Sequence, residues 1–299
     1  MVATLINKMS DKFDLFSDYT CELGEGPFWD SIKNRLLWVD IIGKKIISQS
    51  MECSDVDTIE VDGNPGCAVL SSDGGLVVGI DNNISLINNE GGIEKLTGTK
   101  EGEGLRFNDG KCDPSGRFWI GSMDRKEKQK IGSLYSWNPI EGLVNREQGI
   151  TVSNGIGWSP DHDLFYYIDS PTRKVSAYDF DLFTGRIENK RTFITFNEED
   201  GFPDGMTVDN AGRLWIAFWG GSKIMCIDAH TKKVEEVILF PVSKITSCAF
   251  GGEQMDQLFV TSAKVQVTED DEPMAGKTFL LTLGVVGSPS FYLQKKNIP

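Results

Sequence analysis

Histidine is scarce in this 299-residue sequence, which contains only His162 and His230. Both lie in polar, turn-like segments, "SPDHD" and "DAHTKK". A Ser-His-Asp triad or a histidine-rich zinc site needs imidazole groups at the functional face, and the spacing of neither motif is present. The sequence also lacks GxGxxG after a strand and a Walker-type GxxxxGK. Any catalysis should therefore depend on carboxylates, amides, arginine or a hard metal ion.

Long hydrophobic runs are also absent, because no stretch approaches the roughly 18 to 20 apolar residues of a membrane helix. The first residues, "MVATLINKMSDKFDLF", lack the basic region and long apolar stretch of a secretory signal. We therefore expect a cytoplasmic protein that does not span a membrane. Cysteines without CxxC spacing argue against a structural zinc site and a disulfide scaffold, and we expect mostly buried thiols; they are Cys21, Cys53, Cys67, Cys112, Cys226 and Cys248.

Positive charge is in deficit, with 30 basic against 44 acidic residues and a formal net charge of -14. Such a chain has no general attraction to nucleic acid or to anionic lipid, so neither is an expected partner. The simplest interpretation of the charge is solubility.

What is present is a repeat. A polar turn followed by a burst of large apolar residues occurs six times at intervals of 40 to 49 residues. Each burst is too short for a helix, is rich in aromatic and β-branched residues, and is followed by a second apolar segment after a polar turn, which predicts hairpins. This period predicts an all-β, six-bladed β-propeller. The bursts begin at Leu36, Leu76, Phe118, Phe165, Leu214 and Leu258.

The chain shows no amphipathic helix of four turns and no linker rich in Pro, Gly or Ser. We therefore predict one domain over residues 1–299. A closed ring must join its first and last blades, and we expect the apolar positions of "KFDLFSDY", near the N-terminus, to add a strand to the last blade.

Four repeats carry a polar residue beside glycine just before the burst. Asn-Gly and Asp-Gly are ordinary turn dipeptides, but four instances at one repeat position favour a shared function. The strand nearest the axis opens each propeller blade, so these side chains should converge at the mouth of the central channel. Their oxygens would suit Ca²⁺, Mg²⁺ or Mn²⁺. The segments are "LGEGPFW" with Glu25, "RFNDGK" with Asn108 and Asp109, "VSNGIGW" with Asn154, and "FPDGMTV" with Asp204.

At these residues the sequence resembles the SMP-30, gluconolactonase and regucalcin family, whose members are six-bladed propellers that include sugar-lactone lactonases. The likeness runs from about Cys21 to about Gly287 and includes "GEGPFWD", "RFNDGKCDPSGRFWIGSMD", "SNGIGWS" and "PDGMTVDNAGRLWIA" in the order of the family. The resemblance implies one divalent cation (Ca, Zn, Mg or Mn) and a sugar lactone as substrate.

The resemblance also implies roles for single residues. Glu25, Asn154 and Asp204 would bind the cation, and Asp204 would also act as general base. Arg106 and Asn108 would bind oxygens of the lactone. Where some vertebrate members have a second acidic residue in contact with substrate, this chain has Lys126 within "SMDRKEKQKIGSLY", so that contact stays unassigned. Asp124 matches many bacterial members and would take part in the pocket instead.

Two further features allow alternatives. The basic run Arg125, Lys126, Lys128 and Lys130 is either a solvated loop or a means of favouring an anionic lactone. Trp219 is either a stacking wall for the sugar or a core aromatic. For the whole protein, the alternatives to a lactonase are a calcium-binding regulatory protein without turnover, a propeller used as an interaction platform, and a hydrolase of another ester.

Overall fold

The computed structural model describes residues 13–99 and 104–294. Within these ranges the backbone forms 24 strands in six four-stranded sheets, and its helical segments are the single 3-10 turns Ser170–Thr172 and Glu198–Asp200. The prediction of a six-bladed β-propeller is confirmed. Across the described ranges, no helix is long and apolar enough to cross a membrane. Most of the N-terminal stretch used to predict localisation lies outside them.

Each blade is an antiparallel meander, and the innermost strand comes first in blades one to five. Blade one contains β2 (Gly24–Asp30), β3 (Arg35–Asp40), β4 (Lys45–Ser50) and β5 (Val56–Glu60). Blade two contains β6 (Pro65–Leu70), β7 (Leu76–Ile80), β8 (Asn83–Ile87) and β9 (Ile93–Gly98). Blade three contains β10 (Leu105–Cys112), β11 (Phe118–Asp124), β12 (Gly132–Asn138) and β13 (Gly142–Ile150).

The second half of the chain repeats this order. Blade four contains β14 (Ser153–Trp158), β15 (Leu164–Asp169), β16 (Lys174–Asp181) and β17 (Arg186–Thr195). Blade five contains β18 (Phe202–Val208), β19 (Leu214–Trp219), β20 (Lys223–Ile227) and β21 (Val234–Leu239). Blade six contains β22 (Ile245–Gly251), β23 (Gln257–Ser262), β24 (Thr278–Thr282) and β1 (Asp14–Ser17).

The ring closes through the last blade. Strand β1 pairs antiparallel with β24, with Asp14 opposite Leu280 and Leu15 opposite Phe279. The expected N-terminal strand is therefore present, and it supplies the outer edge of blade six. At the axis, the inner strands contact one another in sequence, and β22 of the last blade contacts β2 of the first.

The six apolar bursts form the second strand of each blade, and their side chains fill the space between neighbouring sheets. Trp29 of blade one stacks on Phe259 of blade six with ring centroids 5.1 Å apart, and Trp215 meets Phe250 edge-on at 5.9 Å. All four side chains are buried. Burial of a large apolar side chain stabilises the fold by about 1.5–3 kcal/mol, so these contacts hold adjacent blades together.

The glycines beside the polar residues let inner strands approach each other. A Cβ atom on Gly155 would lie 2.7 Å from the carbonyl oxygen of Asp204, and one on Gly205 would lie 2.8 Å from the Cα of Ser247. Each inner strand also shifts register at this level, for example between Asn154 and Ile156. Such bulges redirect side chains. The glycines beside the polar residues are therefore required for packing between inner strands at the axis.

Two inner strands are followed by a buried aspartate with a complete set of donors. The Asp113 carboxylate accepts hydrogen bonds from Arg117 Nε at 2.7 Å and from Trp119 Nε1 at 2.9 Å, as well as from backbone N–H groups. Asp209 repeats these distances with the arginine and tryptophan of "DNAGRLW". These carboxylates fix the turn between the first two strands of blades three and five.

Cysteine burial agrees with the sequence. Five of the thiols are buried and Cys53 is exposed. Burial raises the pKa of Cys226 and of Cys248 to about 12, which keeps both thiols protonated and unreactive.

Candidate active site

One cavity of about 290 Å³ contains most of the predicted site residues. It lies where the inner strands begin. All of the carboxylate and amide side chains among them are buried. They come from blades one, three, four and five, as the position of the polar residue in the repeat predicts. The lining includes Glu25, Arg106, Asn108, Asn154 and Asp204.

A chain of hydrogen bonds orients the two amides. Arg106 Nη1 donates to Asn108 Oδ1 at 2.6 Å, and Asn108 Nδ2 donates to Asn154 Oδ1 at 2.8 Å. Asn154 Nδ2 donates to Ser170 Oγ at 2.8 Å, and that hydroxyl donates to the carbonyl oxygen of Pro203 at 2.6 Å. An amide oxygen has two lone pairs, so Asn154 Oδ1 retains one for a further ligand.

The two carboxylates in this cavity have few partners. Glu25 Oε2 accepts the backbone N–H of Gly26 at 2.9 Å, and the buried Oδ1 of Asp204 has no hydrogen-bond partner in the described structure. Burial, together with the negative charge of Asp109, raises the pKa of Glu25 to about 8. Burial also raises the pKa of Asp204, and the charges of Glu25 and Asp109 raise it further. The site therefore favours an added positive charge.

The donor set suits a hard divalent cation. Two carboxylates and one amide oxygen match the oxygen ligands of Ca²⁺, Mg²⁺ and Mn²⁺, and the unpartnered Asp204 Oδ1 is available to such an ion. No cluster of three or more His, Cys, Asp or Glu side chains that could hold a metal occurs in residues 13–99 and 104–294. An ion at this site would therefore depend on Asn154 as its third protein ligand. The metal-binding roles stay predictions.

Arg106 is the cation beside this acidic pair. Burial lowers the pKa of its guanidinium to about 10, while the negative charge of Glu127 opposes that shift. The group therefore remains protonated at neutral pH. Its Nη1 donates to Asn108 Oδ1 and to the carbonyl oxygen of Phe107 at 3.0 Å, and the other guanidinium nitrogens keep N–H groups for a ligand.

Asp124 has a different position from the other predicted residues. Its carboxylate accepts backbone N–H groups of Lys126 at 3.1 Å, Lys128 at 3.0 Å and Gln129 at 2.9 Å, and these bonds lower its pKa. It does not contribute to the cavity lining. Asp124 instead fixes the turn that follows β11, and its substrate contact stays a prediction without geometric support.

That turn presents Glu127, which sequence reasoning missed. Glu127 lines the cavity and has a left-handed backbone with φ of 58°. Lys126, which the sequence alignment places at the family's acidic position, does not line it. Arg125 is engaged by blade two, through an ion pair with Asp81 at 2.5 Å and a hydrogen bond to Asn64. An aspartate followed by a short polar turn was the signal that could have located this acidic residue.

Asp109 was expected at the same mouth, but it does not line this cavity, although its charge acts on Glu25 and Asp204. It lines a second cavity of about 300 Å³ farther along the same inner strands, together with Lys111 and His162. The bulge between Phe107 and Gly110 separates Asn108 and Asp109 in this way. Both histidines lie in turns as predicted, and His162 is half-buried against Phe291 at a centroid distance of 5.9 Å.

The remaining lining of the first cavity is apolar. Trp219 belongs to it and is half-buried, so the structure supports a wall position over a core position for this residue. The apolar lining residues are Leu23, Ile41, Met123, Val152, Pro171, Phe202 and Trp219.

Comparison with known proteins gives concordant matches. Residues 23–264 match the family model described as SMP-30/Gluconolactonase/LRE-like region. Regucalcin of Danio rerio is 36% identical over 277 residues, covering 90% of this chain and 94% of the relative. A Bacillus subtilis (strain 168) protein named "Putative sugar lactone lactonase YvrE" is 36% identical over 278 residues, covering 91% and 95%.

A solved structure also resembles this chain over most of its length. The protein described as a calcium-binding protein, regucalcin, from Agrobacterium tumefaciens strain C58 superposes with a TM-score of 0.88 at 25% identity, covering 94% of this chain and 97% of the other.

Proposed function

Since the chain belongs to the SMP-30/gluconolactonase/LRE-like family, we propose that it is a divalent-metal-dependent lactonase that opens a sugar lactone to the sugar acid. The observation that carries this proposal is the convergence of Glu25, Asp204, Asn154 and Arg106 in one cavity. The lactonase name of the Bacillus subtilis relative supports the reaction class, and the calcium-binding description of the Agrobacterium tumefaciens protein supports a divalent ion.

Glu25, Asn154 and Asp204 would hold the cation. Two anionic ligands neutralise a dication, and the neutral amide leaves its Lewis acidity intact. When bound, the ion would polarise the lactone carbonyl and stabilise the negative charge that develops on its oxygen. Three protein ligands leave coordination positions for water and substrate.

Asp204 would move the proton. The carboxylate oxygen that does not bind the ion would accept a proton from the attacking water. The water oxygen bonds to the carbonyl carbon, and the bond between that carbon and the ring oxygen breaks. Asp204 then returns the proton to the departing ring oxygen, so the product is a hydroxy acid and no proton is gained or lost by the enzyme before the acid ionises.

Arg106 and Asn108 would position the substrate. Their mutual hydrogen bond at 2.6 Å fixes both groups, and the remaining guanidinium N–H groups can donate to lactone oxygens. Glu127, on the turn held by Asp124, can accept a hydrogen bond from a substrate hydroxyl. The Arg106 guanidinium beside the carboxylates favours turnover over a purely regulatory calcium site, because an ion with only a structural role needs no adjacent cation.

The test is a pH-indicator assay of lactone hydrolysis by metal-stripped protein, with spontaneous opening subtracted. A panel of aldonolactones is measured before and after addition of Ca²⁺, Mg²⁺, Mn²⁺ or Zn²⁺. We expect metal-restored turnover in the wild type and in Asp55→Asn, a control on an exposed aspartate, and none in Asp204→Asn. Metal binding without hydrolysis of any lactone would contradict the proposal and support the regulatory or other-ester alternatives.

A further inference from the structure

Two aromatic residues form one side of the cavity mouth, and we name Phe202 and Trp219 the aromatic wall. Phe202 begins β18 and Trp219 ends β19, where the two residues pair directly across the strands. Both line the cavity. Phe202 lies two residues before Asp204 on the same strand and is more exposed than Asp204, so the wall lies nearer to solvent than this carboxylate.

A cation packs against each ring of the aromatic wall. The Arg173 guanidinium carbon lies 4.0 Å from the centroid of Phe202, and Lys244 Nζ lies 5.3 Å from the ring centroid of Trp219. Arg173 also donates to the carbonyl oxygen of Gly201, and Lys244 to that of Val265. Cation–π contacts of this kind restrain an aromatic side chain, so the rings are held in place before a ligand arrives.

Few polar groups in the cavity remain for substrate hydroxyls. Asn108, Asn154 and Ser170 are bonded to one another or to backbone. Under the proposed function, Glu25 and Asp204 serve the cation and the water. Arg106, on β10, and Glu127, on the turn after β11, then remain for substrate hydroxyls. A hydroxyl placed against the ring faces would exchange contact with water for contact with carbon on that side, whereas a methyl group there would lose no hydrogen bond.

We propose that the aromatic wall selects lactones whose end remote from the carbonyl is apolar, such as 6-deoxy-aldonolactones, over their fully hydroxylated counterparts. The inference rests on the proposed function, because the carbonyl must lie at the carboxylates for the remote end to reach the wall. A methyl group against the two rings gains apolar contact, whereas a hydroxymethyl group sets its oxygen beside carbon and gains less from the same contact.

The test compares two lactones that differ in one oxygen atom. L-rhamnono-1,4-lactone and L-mannono-1,4-lactone share their ring configuration, and the first carries a methyl group where the second carries a hydroxymethyl group. We expect kcat/KM of the wild type to be about tenfold higher for the 6-deoxy lactone. If this configuration is not accepted, the D-fucono and D-galactono pair or the 6-deoxy-D-glucono and D-glucono pair provides the same comparison.

Variants locate the preference. Phe202→Asn replaces a ring of the wall with hydrogen-bonding groups and should reduce the ratio of the two kcat/KM values to near one. Phe183→Asn, on an exposed phenylalanine of the turn after β16, is the matched control and should keep the ratio. Circular dichroism checks the fold of both variants.

The outcomes separate the two claims. Equal or lower kcat/KM for the 6-deoxy lactone in the wild type would overturn the selection by the wall, while turnover itself would still support the lactonase. No metal-dependent turnover of any lactone would overturn the proposed function. A preference that persists in Phe202→Asn would assign the selection to residues other than the wall and overturn the inference.

Discussion

Strand β18 has a buried aspartate at each end, and the two differ in their partners. Asp209, just past the end of the strand, accepts hydrogen bonds from Arg213 Nε at 2.7 Å and Trp215 Nε1 at 2.9 Å, together with backbone N–H groups. Asp204, near its start, has an oxygen without any partner in the described ranges. Asp209 stabilises the fold, and its side-chain donors lie within six residues of it in the sequence. Asp204 lacks such donors, so its carboxylate is available to a ligand.

Blade three shows the same division. Asp113 has its donors in "DPSGRFW", the counterpart of "DNAGRLW" in blade five, whereas Asn108 on the same inner strand belongs to the cavity network. Burial raises the pKa of Asp113, and the Arg117 charge and the Trp119 hydrogen bond oppose that shift. For Asp204, the nearby charges that act are negative and add to the effect of burial. The comparison predicts that mutation of Asp204 reduces activity but not stability, whereas mutation of Asp113 reduces stability but not activity.

Asp204→Asn gives the largest expected effect, on activity. Loss of a general base reduces kcat by about 10²–10⁴-fold. The fold should keep its stability, because the change removes an unpaired buried charge. Steady-state kinetics with saturating metal and a urea titration of the metal-free protein measure the two quantities. Substantial turnover in the variant would assign the base to another residue.

Asp113→Asn gives the largest expected effect on stability. Removal of one partner from a buried ion pair costs about 3–5 kcal/mol, because Arg117 would be left buried without a counter-charge. The free energy of unfolding from denaturant titration measures this loss, and kcat of the folded fraction should remain within about twofold of the wild type, since Asp113 lies outside the cavity lining. A loss of stability below about 1 kcal/mol would remove the distinction between the two kinds of carboxylate.

Divalent metal should stabilise the protein through the open carboxylates. At a free concentration one hundred times Kd, the gain is about 2.7 kcal/mol, and thermal unfolding should shift upward accordingly. Glu25→Gln removes one of the two proposed anionic ligands and should abolish most of the shift, whereas Glu90→Gln, on an exposed turn, should retain it. An equal shift in both variants would place the ion elsewhere.

Asp124→Asn gives the smallest expected effect, on the turn that presents Glu127. Three backbone N–H groups lower the pKa of Asp124 below its ordinary value of 3.8, so the ionised carboxylate stabilises the folded state above that pH. The variant should unfold at a lower temperature at pH 7, and the difference should diminish as pH falls below about 4. Thermal scans between pH 2.5 and pH 7 measure it, and a pH-independent difference would contradict the hydrogen-bonding role.

The fold was accessible from sequence because each blade repeats the same local rule. A turn followed by aromatic and β-branched residues specifies a hairpin wherever it occurs, and six copies at similar spacing leave a ring of blades as the natural arrangement. The N-terminal strand followed from the need to close that ring. The prediction of a single domain over residues 1–299 remains a prediction.

The site was only partly accessible. The residues Glu25, Asn108, Asn154 and Asp204 share one repeat position, so symmetry brought them to one cavity. Asp109 was misplaced because a bulge redirects a side chain by an amount that periodicity does not reveal. Glu127 was missed because its orientation depends on a left-handed turn and on hydrogen bonds to Asp124, which lie outside the repeat. The aromatic wall depends on pairing between strands, which a linear pattern does not show.

The pairing of Asp14 with Leu280 also determines when folding of the last blade can be completed. The final blade combines β1 with three strands from the other end of the described chain, so the edge of β24 stays unpaired until both segments are present. Non-local pairing of this kind slows folding, since the entropy of closing a long loop is lost before the contact is made. During synthesis, blade six would therefore be the last to form, and the emerging protein would depend on its neighbours or on chaperones to cover that edge.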